Sequence, residues 1–154
     1  MPTAYRETII TEVIRRLKLI GSSGSYAATI QPTVLRTPHP LQSLPQLPCV
    51  LVGAISEDYE RSAMSGTVGV YSRTLRLSID YWFESQTPDV TASKCIHDVE
   101  YAIADHTLTA TCNDVRIVNY ETHVGSPEQP LAGVTFTVEI DYGTYDNDPT
   151  TRAL

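Results

Sequence analysis

Cysteine is scarce in this chain of 154 residues, and the three present, Cys49, Cys95 and Cys112, form an odd set. That argues against a disulfide-stapled secreted scaffold. A domain of about 150 residues buries roughly 68–70% of its unfolded surface and needs no staples. The three thiols read as small buried hydrophobes of a reducing compartment. Long apolar runs are also missing. The longest, Cys49 to Ile55, is far too short to span a bilayer. The start, MPTAYRETII, carries charge where a signal peptide needs an apolar core. Action in the cytoplasm, or in something assembled there, is expected.

Basic residues are in the minority, 11 against 18 acidic, for a formal net charge of −7. Residues 87–154 hold most of the imbalance, with 3 basic and 11 acidic side chains. This is the wrong sign for a phosphate-binding protein or an anionic membrane surface. Among aromatics, Phe and Trp are rare, two and one against nine Tyr. Tyr has an apolar body and a polar tip, which suits half-exposed sheet faces and interfaces.

Chemical motifs are lacking too. No G-x-S-x-G elbow is present. His97-Asp98 and Asp105-His106 are sequence neighbours, which do not face each other on a helix. Cys95, His97, His106 and Cys112 make a poor zinc set, because Cys95 and His97 fall on different faces of a predicted helix. GSSG at 21–24 follows a helix, whereas a phosphate loop precedes one. DNDPTTRAL lacks the turn Gly and closing Glu of a calcium loop. No catalytic residue, cofactor or metal ligand is assigned, and the chain is expected not to be an enzyme.

What is there is periodicity. TAYRETIITEVIRRLKLIG places Ile10, Val13, Ile14, Leu17 and Ile20 at helical spacing, with Gly21 as the expected C-cap. Thr87-Pro88-Asp89 opens a second helix with its stripe at Ala92, Cys95, Ile96, Val99, Ala102 and Ile103. Asp98, Glu100 and Asp105 are expected to point away from that stripe. TIQPTVLR reads as a short strand at a sheet edge or a bulge, because Pro32 lacks a ladder donor. CVLVGAIS is a short buried strand, and DVRIVNYE is another strand. Two longer strands alternate: Leu75, Leu77, Ile79, Tyr81 and Phe83, then Val134, Phe136, Val138, Ile140 and Tyr142. A one-faced sheet needs cover, and two one-faced helices supply it. The expected fold is an α+β two-layer sandwich, a mostly antiparallel sheet of about five strands covered on one face by two helices, in the order α-β-β-β-α-β-β. Residues 1–143 form the domain, with a Pro-rich arm at 36–48, a loop at 56–66 and a polar tail at 144–154.

The layout resembles that of the bacteriophage tail terminator, or tail completion, proteins. The pieces are the first helix ending in Leu17-Lys18, "AATIQPTVLR", a Pro-rich arm ending in "LPCVLV", "LRLSIDYWF" before the second helix, and the closing "LAGVTFTVEIDYGTYDNDP". The resemblance spans nearly the whole chain and lies in the order of the pieces. It implies a homo-hexameric ring, a structural virion protein that caps the tail tube, stops its elongation and joins it to the head and neck. The implied partners are the tail tube protein, a neck or head-completion protein and, in a contractile tail, the sheath. DNA would pass through the ring without specific binding, and an acidic lumen would repel it. The resemblance implies no cofactor, no catalysis and no membrane.

Two alternatives stand beside it: a neck or head-completion subunit on the portal side, and a small ligand-binding or enzymatic α+β domain. Contacts to other copies or partners are expected from the unpatterned segments. The candidates are His39 and Leu41 on the arm, Glu57, Asp58, Glu60 and Arg61 on the loop, Asp146 and Asp148 on the tail, and Trp82 on the polar face of its strand.

Overall fold

In the computed structural model, residues 3–36, 46–62, 69–104, 111–124, 131–145 and 147–153 are described. The first helix, α1, runs over Tyr5–Leu17 and buries Ile9, Ile10, Val13 and Leu17. Glu7 sits in its first turn and Arg15 and Arg16 in its last, each matched to the helix dipole. Glu12 pairs with both arginines, at 2.7 and 3.1 Å. Gly21 does not cap this helix. Lys18 does so in a right-handed conformation, and further turns carry the chain to Gly21. There φ is +82°, and a Cβ would lie 2.9 Å from the Ile30 carbonyl carbon.

The strands are β1 (Thr33–Arg36), β2 (Cys49–Ser62), β3 (Val70–Glu84), β4 (Asp114–His123), β5 (Leu131–Tyr145) and β6 (Asp148–Arg152), with α2 (Pro88–Ala104) between β3 and β4. They form one six-stranded sheet in the order β1-β2-β3-β5-β4, with β6 also on β5. Among the described strands only β1 on β2 is parallel. β1 is an edge strand, and it begins one residue after Pro32. The α+β class, the one-sided helical cover and the antiparallel sheet all agree with the periodicity. Leu75, Leu77, Ile79 and Tyr81 of β3 face Ile140, Val138, Phe136 and Val134 of β5. All eight join the residues of both helices in one buried core. The alternate residues, Arg76, Ser78, Asp80 and Trp82 against Glu139, Thr137, Thr135 and Gly133, occupy the helix-free face.

Three further expectations are corrected. The sheet has six strands, because the tail is not loose: β5 runs to Tyr145 and β6 folds back on it. The Ala153 amide donates to the Gly143 carbonyl at 2.9 Å, and Ala153 is buried. Arg152 reaches the Cys112 carbonyl at 3.1 Å and Asn113 Oδ1 at 3.0 Å, so β6 takes up the β5 edge where β4 begins. Backbone and polar side chains hold this strand, so it leaves little apolar pattern. The loop expected at 56–66 is strand as far as Ser62; residues 63–66 lie outside the described part. There β2 is built almost wholly of charged and polar residues, because the backbone ladder with β3 and not the core holds it.

The third correction is Asp98. It does not point outward but is fully buried. Its carboxylate accepts the Ala27 amide at 2.6 Å and the Ala28 amide at 2.8 Å, and, contrary to the expectation for helix neighbours, also lies 3.0 Å from His97 Nδ1. Asp98 thus pins the segment after α1 to α2. Replacing it with alanine orphans two backbone donors. Asp98→Ala is expected to cost about 1–3 kcal/mol or more in urea unfolding; a loss under about 0.5 kcal/mol, the size of a surface substitution, would contradict this account.

Candidate subunit interface

Beyond the helical cover, the sheet ends in a polar and aromatic cluster. Glu57 lies on the helix side of β2, opposite Leu75. Its carboxylate accepts the Tyr142 hydroxyl, and it pairs with Arg6 at 3.4 Å and Arg73 at 3.7 Å. Burial pushes the Tyr142 phenol well up from its ordinary value, and the Glu57 bond adds to this. The Arg73 Nε donates to Thr144 Oγ1 at 3.0 Å, and its guanidinium lies 5.3 and 5.5 Å from the Tyr59 and Tyr71 ring centres. Tyr59 meets Tyr71 edge to face yet is 64% exposed. Glu57 therefore braces β2, β3, β5 and α1 within the subunit. Tyr59, Glu60 and Arg61 beyond it are exposed.

The helix-free face carries a charge ladder across four strands. Asp58 meets Arg76 at 2.8 Å, Arg76 meets Glu139 at 2.9 Å, and Glu139 meets Arg116 at 2.6 Å. Arg116 also holds Asp141 at 2.7 Å and Asp114 at 3.0 Å. Arg76, then Arg116, hold the Glu139 carboxyl below its ordinary 4.5. Burial raises Asp141, but Arg116 and Thr74 outweigh it and the net direction is down. On β6, Thr150 and Thr151 donate to Asp148 and lower it from 3.8. A carboxyl lowered on folding stabilises when ionised. That contribution is complete above the ordinary carboxylate range and is lost as pH falls through the depressed values. Stability in urea is thus expected to be flat from pH 7 to about 5 and to fall below about 4; Glu139→Gln should flatten the acid limb, and an unchanged limb would disprove the assignment.

Trp82 lies over Gly133, where a Cβ would meet the indole at 2.6 Å. His123 stacks on it with centroids 5.8 Å apart and shares a 2.9 Å hydrogen bond with Thr135. The indole spans β3, β5 and β4 flat against the sheet and is half-buried, more strut than knob. Gly133→Ala should cost about 1–3 kcal/mol by displacing it, read as a blue-shift or red-shift of the single tryptophan's emission together with a lower urea midpoint; wild-type values for both would refute the packing role.

The remaining candidates are scattered. Asp148 closes a turn and opens β6, while His39, Leu41 and Asp146 lie outside the described residues. A cleft of about 340 Å³ opens between Ala28–Ile30, Pro48 and α2, over Tyr81, Phe83 and Cys95. Its Asp98 is already committed to backbone amides, and burial pushes the Cys95 thiol up to about 12. No described group of three or more His, Cys, Asp or Glu side chains is placed to hold a metal ion. Of the zinc set weighed above, Cys95 and Cys112 are buried, and His106 lies outside the described residues.

Sequence reasoning placed a strand at DVRIVNYE, which is β4, but missed its exposed apolar edge. Val118 (54%), Tyr120 (48%) and Val124 (66%) are exposed along and just beyond it. The signal was present: Ile117 and Val118 are adjacent apolar residues, so strict alternation fails there. A bulge between Ile117 and Asn119 accounts for it.

No protein-family model matches the chain, and no curated protein matches it. No helix among the described residues is long and apolar enough to cross a membrane.

Proposed function

We propose that the chain is a ring-forming structural subunit of a virion, a tail terminator that assembles as a hexamer, caps the tail tube and joins it to the neck. The observation that carries this reading is the pair of unlike open edges on one rigid sheet. β1 covers only Cys49–Val52 of β2, so the outer edge of Gly53–Ser62 has no partner strand among the described residues. At the opposite side β4 pairs with β5 alone. Two different edges on one subunit suit head-to-tail contacts, and head-to-tail contacts close into rings when the rotation allows. The order of elements supports the same reading through the resemblance described above. The tube and neck partners, and the passage of DNA through an acidic ring, belong to this proposal.

Removal of 144–154 would not test this, because it strips β5 of its β6 partner and uncovers the buried Tyr142–Thr144 end. The exposed tip of β2 serves better. Glu60→Lys, at an exposed position, should leave the circular dichroism spectrum unchanged and stability in urea within about 0.5 kcal/mol of wild type, as surface changes do, while reducing ring formation on purified tube. Native mass measurement should give six times the monomer mass for the wild type with tube present. Electron microscopy of particles lacking the protein should show overlong or headless tails; tails of normal length joined to heads would reject the function.

A further inference from the structure

We propose that two free copies of this chain pair edge to edge through β4, about a two-fold axis between Val118 and Asn119. This contact does not rest on the ring reading and uses a different symmetry. The outer edge of β4 has no partner strand among the described residues, yet Val118 and Tyr120 on it and Val124 just past it are about half or more exposed. An open apolar edge is a template for another strand.

The occupant is named by the strand's own charge order, DVRIVNYETH. In an antiparallel pair centred between Val118 and Asn119, Asp114 faces His123 of the second copy and Arg116 faces its Glu121. Ile117 faces Tyr120, and Val115 faces Thr122. The two-fold axis repeats each pair. Opposite charges and apolar partners directly across strands are the stabilising unit of a sheet.

The bulge makes this register possible. Arg116 and Glu121 are five residues apart, so in a regular strand they would point to opposite faces. Here Arg116 lies opposite Glu139 and Glu121 opposite Thr135, and both β5 residues belong to the helix-free face. On the other face, Ile117 lies opposite Val138 and Tyr120 opposite Phe136, again a matched pair. A bulge spoils pairing with a flat strand. Two copies related by a two-fold axis bring the same kink to the same place. A notch of about 430 Å³ beside it, lined by Glu100 and Ile117–Tyr120, leaves room for Tyr120 of the second copy.

The test uses the full chain without tube. Sedimentation over a concentration series should show a monomer–dimer equilibrium. Glu121→Arg, which sets like charges across both symmetry copies, should weaken it by about tenfold or more, with circular dichroism unchanged; Arg116 is left alone because it holds three carboxylates of its own chain. The native thiols are buried, so Asn119→Cys adds one accessible thiol beside the axis, within disulfide reach of its symmetry mate. Mild oxidation should give a covalent dimer. A monomer at every concentration, a dimer indifferent to Glu121→Arg, or an Asn119→Cys chain that stays uncrosslinked would each overturn the proposal. A six-chain species with no 119–119 cross-link would overturn it while leaving the ring reading intact.

Discussion

Everything in this fold hangs on the pairing of β3 with β5. Fifteen residues of one match fifteen of the other without a register break, from Val70 against Tyr145 to Glu84 against Leu131. From Leu75–Ile140 to Phe83–Ala132 every second pair is apolar and buried, including Leu77–Val138 and Ile79–Phe136. Burying one such side chain contributes about 1.5–3 kcal/mol, so this seam is the largest single source of stability. A slip of one residue would turn the whole set toward water. The helices follow from it, since α1 and α2 are the apolar stripes that cover this one face.

The opposite face is stabilised differently. Its Arg76, Glu139 and Arg116 ladder is partly open to solvent, where ion pairs contribute little. Its value lies in register and specificity, because each charge is placed across from its opposite. The Trp82 indole over Gly133 does the same by shape. The polar cluster around Glu57 ties the outer half of β2, beyond the register shift at Ala54/Ser56, to β3, β5 and α1. Both functional proposals rest on a single sheet whose two unlike edges have no partner strand among the described residues.

Much of the core was legible because burial writes a period into the chain. Leu75 to Phe83 and Val134 to Tyr142 alternate since one face is dry and the other wet. Ala92 to Ile103 repeat at helical spacing for the same reason. The errors fall where something other than the core holds the backbone. Residues 56–62 and 148–152 are strands by hydrogen bonding alone, so their polar composition read as loop and tail. Asp98 read as a surface acid because nothing local tells that two amides some seventy residues earlier, Ala27 and Ala28, fold onto it. Among the candidate contact residues, Glu57 proved an internal brace, while Val118, Tyr120 and Val124 went unremarked.

The amino-acid order by itself determined the class of fold, the dry faces of the two long strands and both helices, and the buried state of the cysteines. These depend on local periodicity, which any segment carries within itself. Only the tertiary structure decided which edges stay open, which charges are committed to partners, and that the last residues close the sheet. Those outcomes depend on contacts between distant residues, and a ladder of backbone hydrogen bonds leaves no side-chain pattern to announce it.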